Sequence, residues 1–348
     1  MSDFNPTALP SLSSASIKRI LITLAALFLY RLGAVIPLPG IDISALGNGS
    51  GALERVSILA LGILPWVYAA VLGETVNLLS PRSWKLPFVR DGHADPFSIW
   101  VIGSALILAA SQAYGVVIAL EFSPLVSLPG IAFQATAIAS LIGGTALVIA
   151  LAGFISRYGV GFGFWVLFAC AQLLGISGDV IYIAQYINQG FVAPVTVMML
   201  AIPATGALAA FVALFLNRSK IGLGSVEPLI WPVLILTIVV NPLLYATLQS
   251  FAEDQTIVAV LGLNHPIGAS FAFVILLLMT MRYGAGQGQF IVSTAEAAML
   301  WATMVLSDVA WRHFNINFSA LGLIVLVGVS MMILRSLADQ SSGLNNRL

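Results

Sequence analysis

Long apolar segments alternate with short polar segments along most of the chain. A helix needs about 20 mostly apolar residues to cross a bilayer, so each such segment predicts a transmembrane helix. We therefore predict an all-α polytopic membrane protein with ten transmembrane helices. The predicted spans are 17–38, 55–79, 96–120, 133–156, 160–178, 192–216, 226–249, 267–283, 293–312 and 317–338.

The composition supports a membrane protein. Hydrophobic residues make up 59% of the 348 residues and charged residues only 8%, whereas an ordinary soluble domain is about 25% charged. The net charge is zero, so the chain has no excess of positive charge that would attract nucleic acid. The single cysteine, Cys170, excludes a disulfide framework or a cysteine zinc site within the chain. We expect no metal, no cofactor and no nucleic-acid partner.

The basic residues predict the orientation. If the N-terminus is cytosolic, only Arg31, Arg55 and Arg312 of the 14 Lys and Arg residues fall on the outer side. Basic residues concentrate on the cytosolic side of membrane proteins. We therefore predict cytosolic tails at residues 1–16 and 339–348. The polar N-terminal residues also lack the basic and apolar regions of a cleavable signal peptide.

A polar linker at residues 179–191 divides the predicted spans into two groups of five, residues 17–178 and 192–338. Two related halves with an odd number of spans each must have inverted topology. Inverted repeats are typical of transporters and channels.

The stretch from Gly51 to Glu74, GALERVSILALGILPWVYAAVLGE, contains residues that are costly in a membrane helix. Ile63, Val67 and Glu74 share one helical face, and Pro65 weakens the backbone hydrogen bonds of a helix interior. An ionisable residue inside a span is by default a candidate functional residue. We expect this face to meet protein or water.

Residues 52–69, ALERVSILALGILPWVYA, resemble the second span of SecY, the channel subunit of the protein translocase. Five more motifs resemble that family in the same order: FLYRLGAVIPLPGID (28–42), SQAYG (111–115), YGVGFG (158–163), GSVEPLIWP (224–232) and GLIVLVGVSMMILRSL (322–337). On these motifs the chain is identified as a member of the SecY family, a divergent paralogue.

The resemblance implies a clamshell of two inverted five-helix halves around a protein-conducting channel in the bacterial inner membrane. Polypeptide substrates pass through the channel or leave it sideways into lipid, and a SecE-like single-span subunit braces the halves. The resemblance places the positions of the family's aliphatic pore ring at Ile63, Val67, Phe168, Ile230, Val329 and Ser330, and Ser330 makes this ring less uniformly apolar than the family's. It places the lateral gate or the cytosolic vestibule at Glu74, Gln112 and Glu227.

The chain departs from the family at several places. Ile43–Ser50 is too short for the family's plug, and the loops 217–225 and 282–292 lack the long basic sequences that dock SecA and the ribosome. We expect neither partner to dock in the usual way, and we expect few substrates.

The polar gate residues each have a simpler interpretation. Glu74 stands where the family has glutamine, and Arg82 or Lys85 could pair with it. Glu227, in the first turn of its helix, suits the helix dipole. Gln112 could make an ordinary interhelical hydrogen bond.

Three other functions compete with the channel. A small-solute transporter would use the inverted repeats, and a non-conducting scaffold or insertase would use only the lateral groove. Gly175–Asp179 contains the G-x-S-G motif of intramembrane serine proteases. A serine nucleophile needs a nearby general base, however, and His265 and His313 are predicted in outer loops. We therefore expect no enzymatic activity.

Overall fold

A computed structural model describes residues 14–45, 52–81, 83–191, 227–243, 266–283, 290–314 and 320–341, with isolated positions between 193 and 213 and residue 246. Most of the predicted span 192–216 and of the two predicted tails lies outside these residues. The helices are α1 Ser14–Gly33, α2 Ala52–Arg55, α3 Leu64–Leu79, α4 Ile99–Glu121, α5 Ile131–Tyr158, α6 Gly163–Asn188, α7 Glu227–Ile235, α8 Pro266–Tyr283, α9 Phe290–Phe314 and α10 Ala320–Ser341. These labels include the one-turn α2 and are not a count of membrane spans.

Two described helices, α4 and α5, are long and apolar enough to cross a membrane. The other described apolar helical stretches that run between 10 and 17 residues are 64–79, 163–176, 230–243, 268–283 and 322–334. The predominantly helical fold agrees with the predicted fold class. The number of ten spans and their inverted arrangement remain predictions.

The predicted span 55–79 is helical only in its second part. The chain forms turns over residues 56–63, and α3 begins at Leu64. Pro65 therefore lies in the first turn of α3, where its missing N–H breaks no intrahelical hydrogen bond. The prediction that Pro65 weakens a helix interior was wrong, because hydropathy alone does not distinguish a buried turn from a buried helix.

The helix α6 runs ten residues beyond residue 178, where the fifth span was predicted to end. Most of the predicted linker 179–191 is therefore helical. Its role as the division between two halves stays a prediction. Farther along the chain, α7 contains Pro232 and continues into a π-helical turn, Leu236–Val240. The hydroxyl of Thr237 donates to the carbonyl of Val233 at 2.7 Å.

The chain divides into two compact units. The first contains residues up to 69, residues 96–168 and residues from 330 onward, and the second contains residues 70–95 and 169–329. In the first unit, α5 packs against α1 and α4. Ala105, Ala109, Ala113 and Val117 recur every fourth residue on the buried face of α4. Small side chains at this spacing let two helices approach closely in a membrane.

In the second unit, α8 packs against α7 and α9. The hydroxyl of Thr280 donates to the carbonyl of Ser293 at 3.1 Å, and the indole N–H of Trp301 donates to the carbonyl of Ala269 at 2.7 Å. These bonds join α8 to α9 near both ends of α8. The second unit also holds a two-stranded antiparallel hairpin, β1 Val89–Arg90 and β2 His93–Ala94.

Candidate functional site

Residues 56–63, which we call the turn segment, are irregular in backbone and buried in the first unit. The N–H of Leu38 donates to the carbonyl of Val56 at 2.8 Å, and the N–H of Ile58 donates to the carbonyl of Ile36 at 2.9 Å. Three turns follow, from Ser57 to Ala60, Leu59 to Gly62 and Leu61 to Leu64. Irregular backbone within a membrane protein needs such internal hydrogen bonds, because lipid offers none.

Glycines on two helices make room for the turn segment. A Cβ atom on Gly144 of α5 would lie 2.0 Å from the carbonyl oxygen of Ile58. A Cβ atom on Gly33 of α1 would lie 2.6 Å from Cδ1 of Leu59. The turn segment therefore occupies a space between α1 and α5 that side chains at these positions would fill.

The chain that leads into this region is also fixed. Asp42 accepts hydrogen bonds from the N–H of Ser44 at 2.9 Å and from its hydroxyl at 2.6 Å. These bonds hold the pKa of the exposed Asp42 carboxyl below its ordinary value. The N–H of Asp42 donates to the carbonyl of Leu125 at 2.8 Å, which ties this loop to the connection between α4 and α5.

Three predicted ring residues are buried in the first unit. The exposed fractions of Ile63, Val67 and Phe168 are 1%, 0% and 1%. The N–H of Val67 donates to the carbonyl of Ile63 at 3.0 Å, so Ile63 immediately precedes the first turn of α3. Their burial suits an apolar seal, and their place in a pore ring stays a prediction.

Aromatic packing fixes the start of α3. The indole N–H of Trp66 donates to the carbonyl of Pro96 at 2.8 Å. The Trp66 ring meets Phe97 and Phe164 edge-on, with centroids 5.2 and 4.8 Å apart. Three aromatic rings and a buried hydrogen bond therefore hold the helix turn that carries Val67.

The other predicted ring residues lie on separate helices. Ile230 of α7 and Val329 of α10 are buried in the second unit. Ser330, the next residue of α10, is exposed and belongs to the first unit. Their common membership of one ring remains a prediction from the resemblance.

Glu74 is completely buried near the end of α3. Its Oε1 accepts from the hydroxyl of Tyr283 at 2.8 Å and lies 3.0 Å from Nδ1 of His93. Its Oε2 accepts from the N–H of Ala94 at 2.5 Å and lies 3.4 Å from Nδ2 of Asn77. We call these five residues the Glu74 cluster. All of them belong to the second unit.

The local sequence explains how the hairpin reaches Glu74. Asp91 and Gly92 have φ angles of 52° and 84°, as a two-residue type I′ turn requires, and Asp-Gly is a preferred pair for that turn. The turn pairs Arg90 with His93. It thereby fixes the His93 ring and the N–H of Ala94, which both face Glu74.

The end of α8 supplies the third side of the Glu74 cluster. Tyr283 is the last residue of α8, and its ring lies 5.2 Å from that of His93. The neighbouring Arg282 donates to the carbonyl of Ser80 at 3.0 Å. Two consecutive residues of α8 thus bind the end of α3 and the residue after it.

The described partners of Glu74 differ from the predicted Lys85, and the predicted partner Arg82 is not tested. His93 and Tyr283 hold the carboxylate, while Lys85 is exposed and Arg82 lies outside the described residues. The Asp-Gly turn was a local signal for His93. Tyr283 is 209 residues away in sequence, and no local pattern points to it. A contact with an open vestibule would require the Glu74 cluster to open.

The two remaining gate residues occupy different units. Gln112 is partly buried on α4 in the first unit. Glu227 is the first residue of α7, which fits the helix-dipole interpretation, and its side chain lies outside the described residues. Their roles in a gate stay predictions. Among the described residues, no group of three His, Cys, Asp or Glu side chains could hold a metal ion.

The chain is similar in sequence to known subunits of the protein translocase. No protein-family model matches the chain. The protein translocase subunit SecY of Escherichia coli K12 is 28% identical over 193 residues, which cover 50% of this chain and 44% of that protein. The SecY subunit of Haemophilus influenzae is 28% identical over 201 residues, covering 53% and 46%. The chain spans about half the length of the curated relatives it matches.

Solved structures match over a larger share of the chain. Sec61 in the canine ribosome-channel complex from the endoplasmic reticulum gives a TM-score of 0.57 at 13% identity, covering 98% of this chain and 97% of that chain. A structure described as a protein conducting channel gives a TM-score of 0.54 at 15% identity, with the same coverage. At these identities the structural matches show a shared fold.

Proposed function

Because this chain is a member of the SecY family, we propose that it is a channel subunit that passes polypeptides across a membrane or releases them sideways into it. The observation that carries the proposal is the shared fold over 98% of the chain. A fold alone does not establish a function. The identity with translocase subunits over half of the chain supplies the additional support.

The seal of this channel consists of Ile63, Val67 and Phe168, together with the predicted ring positions Ile230, Val329 and Ser330. Aliphatic side chains at a constriction exclude ions by dewetting and still yield to an extended polypeptide. The burial of Ile63 and Val67 and the rigid packing around Trp66 support a fixed edge of the constriction. The turn segment, which ends at Ile63, adds packed chain to a protein whose residues 43–50 are too short for the family's plug.

The partners follow from the family and from the loop sequences. A SecE-like single-span subunit braces the protein in the bacterial inner membrane, with both termini cytosolic. SecA and the ribosome do not dock in the usual way, because the loops 217–225 and 282–292 are short. Binding of purified SecA or ribosomes as tight as to an ordinary SecY would contradict this part of the proposal.

Photocrosslinking in cells tests the proposed function. A photoreactive amino acid replaces Val67, and a second strain carries the same residue in place of Leu326 as a matched control. Leu326 is a partly exposed residue of α10. Adducts are then identified by mass spectrometry.

We expect distinct polypeptide adducts at position 67 and none of them at position 326. Lipid adducts or no adducts at both positions would contradict a protein-conducting path. That result would favour the scaffold or the small-solute transporter. Identical polypeptide adducts at both positions would indicate nonspecific contact and would equally contradict the proposal.

A further inference from the structure

The contacts of Glu74 suit a carboxyl side chain. A carboxylate accepts hydrogen bonds through two oxygens, and three donor groups meet them: the Tyr283 hydroxyl, the Ala94 N–H and the Asn77 amide. Nδ1 of His93 lies 3.0 Å from Oε1. An amide at this position would direct its own N–H groups at one of these donors. The cluster therefore depends on both oxygens of Glu74.

The Glu74 cluster joins three elements that are distant in sequence. Glu74 and Asn77 belong to α3, His93 and Ala94 to β2, and Tyr283 to α8. The bond from Arg282 to the Ser80 carbonyl is a second connection between α8 and the residues that follow α3. Separation of α8 from α3 would break both connections.

A polar contact behaves differently from an apolar one when it separates. Apolar surfaces lose their whole stabilisation on exposure to water, whereas separated donors and acceptors bind water instead. The His93 side chain in the cluster is 16% exposed, so the cluster has an exposed edge. A buried ionic cluster is also weak evidence for stability, because apolar residues of similar volume often stabilise as well.

We propose that the Glu74 cluster is a releasable clasp that holds the end of α8 and the hairpin against α3, and that opens when α8 moves away and water enters. The clasp rests on the proposed function only for its purpose, which is to control an opening between α3 and α8. Its existence is a property of the second unit alone. It can therefore be tested without any translocation.

Pulsed electron–electron double resonance tests the clasp in the full-length protein in lipid nanodiscs, by measuring the distance between a spin label on α3 and one on α8. Spin labels replace Val76 of α3 and Leu278 of α8, whose side chains are 48% and 62% exposed. Cys170 is replaced by serine to leave two labelling positions. The distance distribution is measured for the parent and for Glu74→Gln, Tyr283→Phe and Glu54→Gln. The last variant makes the same chemical change at an exposed glutamate of the first unit.

We expect one dominant distance in the parent and in Glu54→Gln. In Tyr283→Phe the ratio of the longer-distance population to the parent-distance population rises about tenfold, because the hydrogen bond from Tyr283 to Glu74 is lost. In Glu74→Gln the ratio rises further. Unchanged distributions in Tyr283→Phe and Glu74→Gln overturn the clasp, even where these variants unfold at lower temperature, since loss of stability alone indicates a purely structural cluster.

The outcome is independent of the proposed function. A longer-distance population together with absent polypeptide adducts at position 67 retains the clasp and removes the channel. Unchanged distances together with polypeptide adducts retain the channel and remove the clasp.

Discussion

Two non-helical segments flank α3 along the chain. Apolar close packing holds the first in place, and hydrogen bonds hold the second. The turn segment before α3 is apolar and fits against glycines, with the Ile58 carbonyl at the position that a Cβ of Gly144 would need. The hairpin after α3 is held by the buried carboxylate of Glu74. The first contact depends on shape and the second on hydrogen bonds to a carboxyl group.

The two segments therefore differ in how readily each can move. Close packing has no substitute partner, because neither water nor lipid restores the contacts that a displaced apolar segment loses. Hydrogen-bonded groups exchange their protein partners for water at a small net cost. We therefore expect a fixed turn segment and a releasable hairpin.

The largest effect is expected from Glu74→Ala. Removal of the carboxylate leaves the Tyr283 hydroxyl and the Ala94 N–H without their acceptor, and each unsatisfied buried group costs about 1–3 kcal/mol. Thermal unfolding of the purified protein in detergent measures the loss of stability. An unfolding temperature equal to that of the parent would mean that the Glu74 cluster contributes nothing to the fold.

Gly144→Ala is expected to cost about 2–3 kcal/mol, near the upper end of the usual range for overpacking. The new methyl group meets a backbone carbonyl at 2.0 Å, which cannot rotate away as a side chain does. The unfolding temperature measures the effect. Gly143→Ala is the matched control, because a Cβ at Gly143 meets nothing within 4 Å. Equal behaviour of the two variants would contradict the tight seating of the turn segment.

Tyr283→Phe is expected to cost about 1.5 kcal/mol, because the hydrogen bond from the Tyr283 hydroxyl to Glu74 is lost. The ring packing against His93 stays in place, so the change isolates the hydroxyl. Unfolding temperatures are compared with those of Tyr114→Phe, a matched change at a residue that is 59% exposed. Equal losses in both variants would show that the Tyr283 hydroxyl has no special role.

The smallest effect is expected from Glu54→Gln. The carboxylate of Glu54 lies 2.6 Å from the guanidinium of Arg31, and both side chains are more than 40% exposed. Exposed ion pairs contribute about 0.2–1 kcal/mol and are weakened by salt. We expect a small stability loss that disappears at high salt. A loss as large as that of Glu74→Ala would remove the contrast between buried and exposed carboxylates.

The sequence predicted the helical class and the two long helices α4 and α5 well, because sustained hydropathy is a strong signal. It predicted the start of α3 poorly, since residues 56–63 are as apolar as a span and their turns are stabilised by residues 36–38. It identified Glu74 as an unusual residue from its charge. It could not identify Tyr283, because that contact depends on how distant helices pack.

The predicted pore ring depends more on the resemblance to SecY than on contacts in the structure. The N–H of Val67 donates to the carbonyl of Ile63, and their spacing of four residues predicts that the two are neighbours. Ile230 and Val329 were predicted as pore-ring residues only from the resemblance. Periodicity within one helix does not relate residues on different helices.

Ion conductance of the purified protein in planar bilayers tests most directly whether the chain surrounds a path sealed at Ile63 and Val67. The parent is compared with the double variant Ile63→Gly and Val67→Gly, and Leu326→Gly serves as the control. We expect closed bilayers with the parent and the control, and a steady ion leak with the double variant, because glycines at a dewetted constriction admit water and ions. A correctly folded double variant that stays as tight as the parent would contradict a conducting path at these residues.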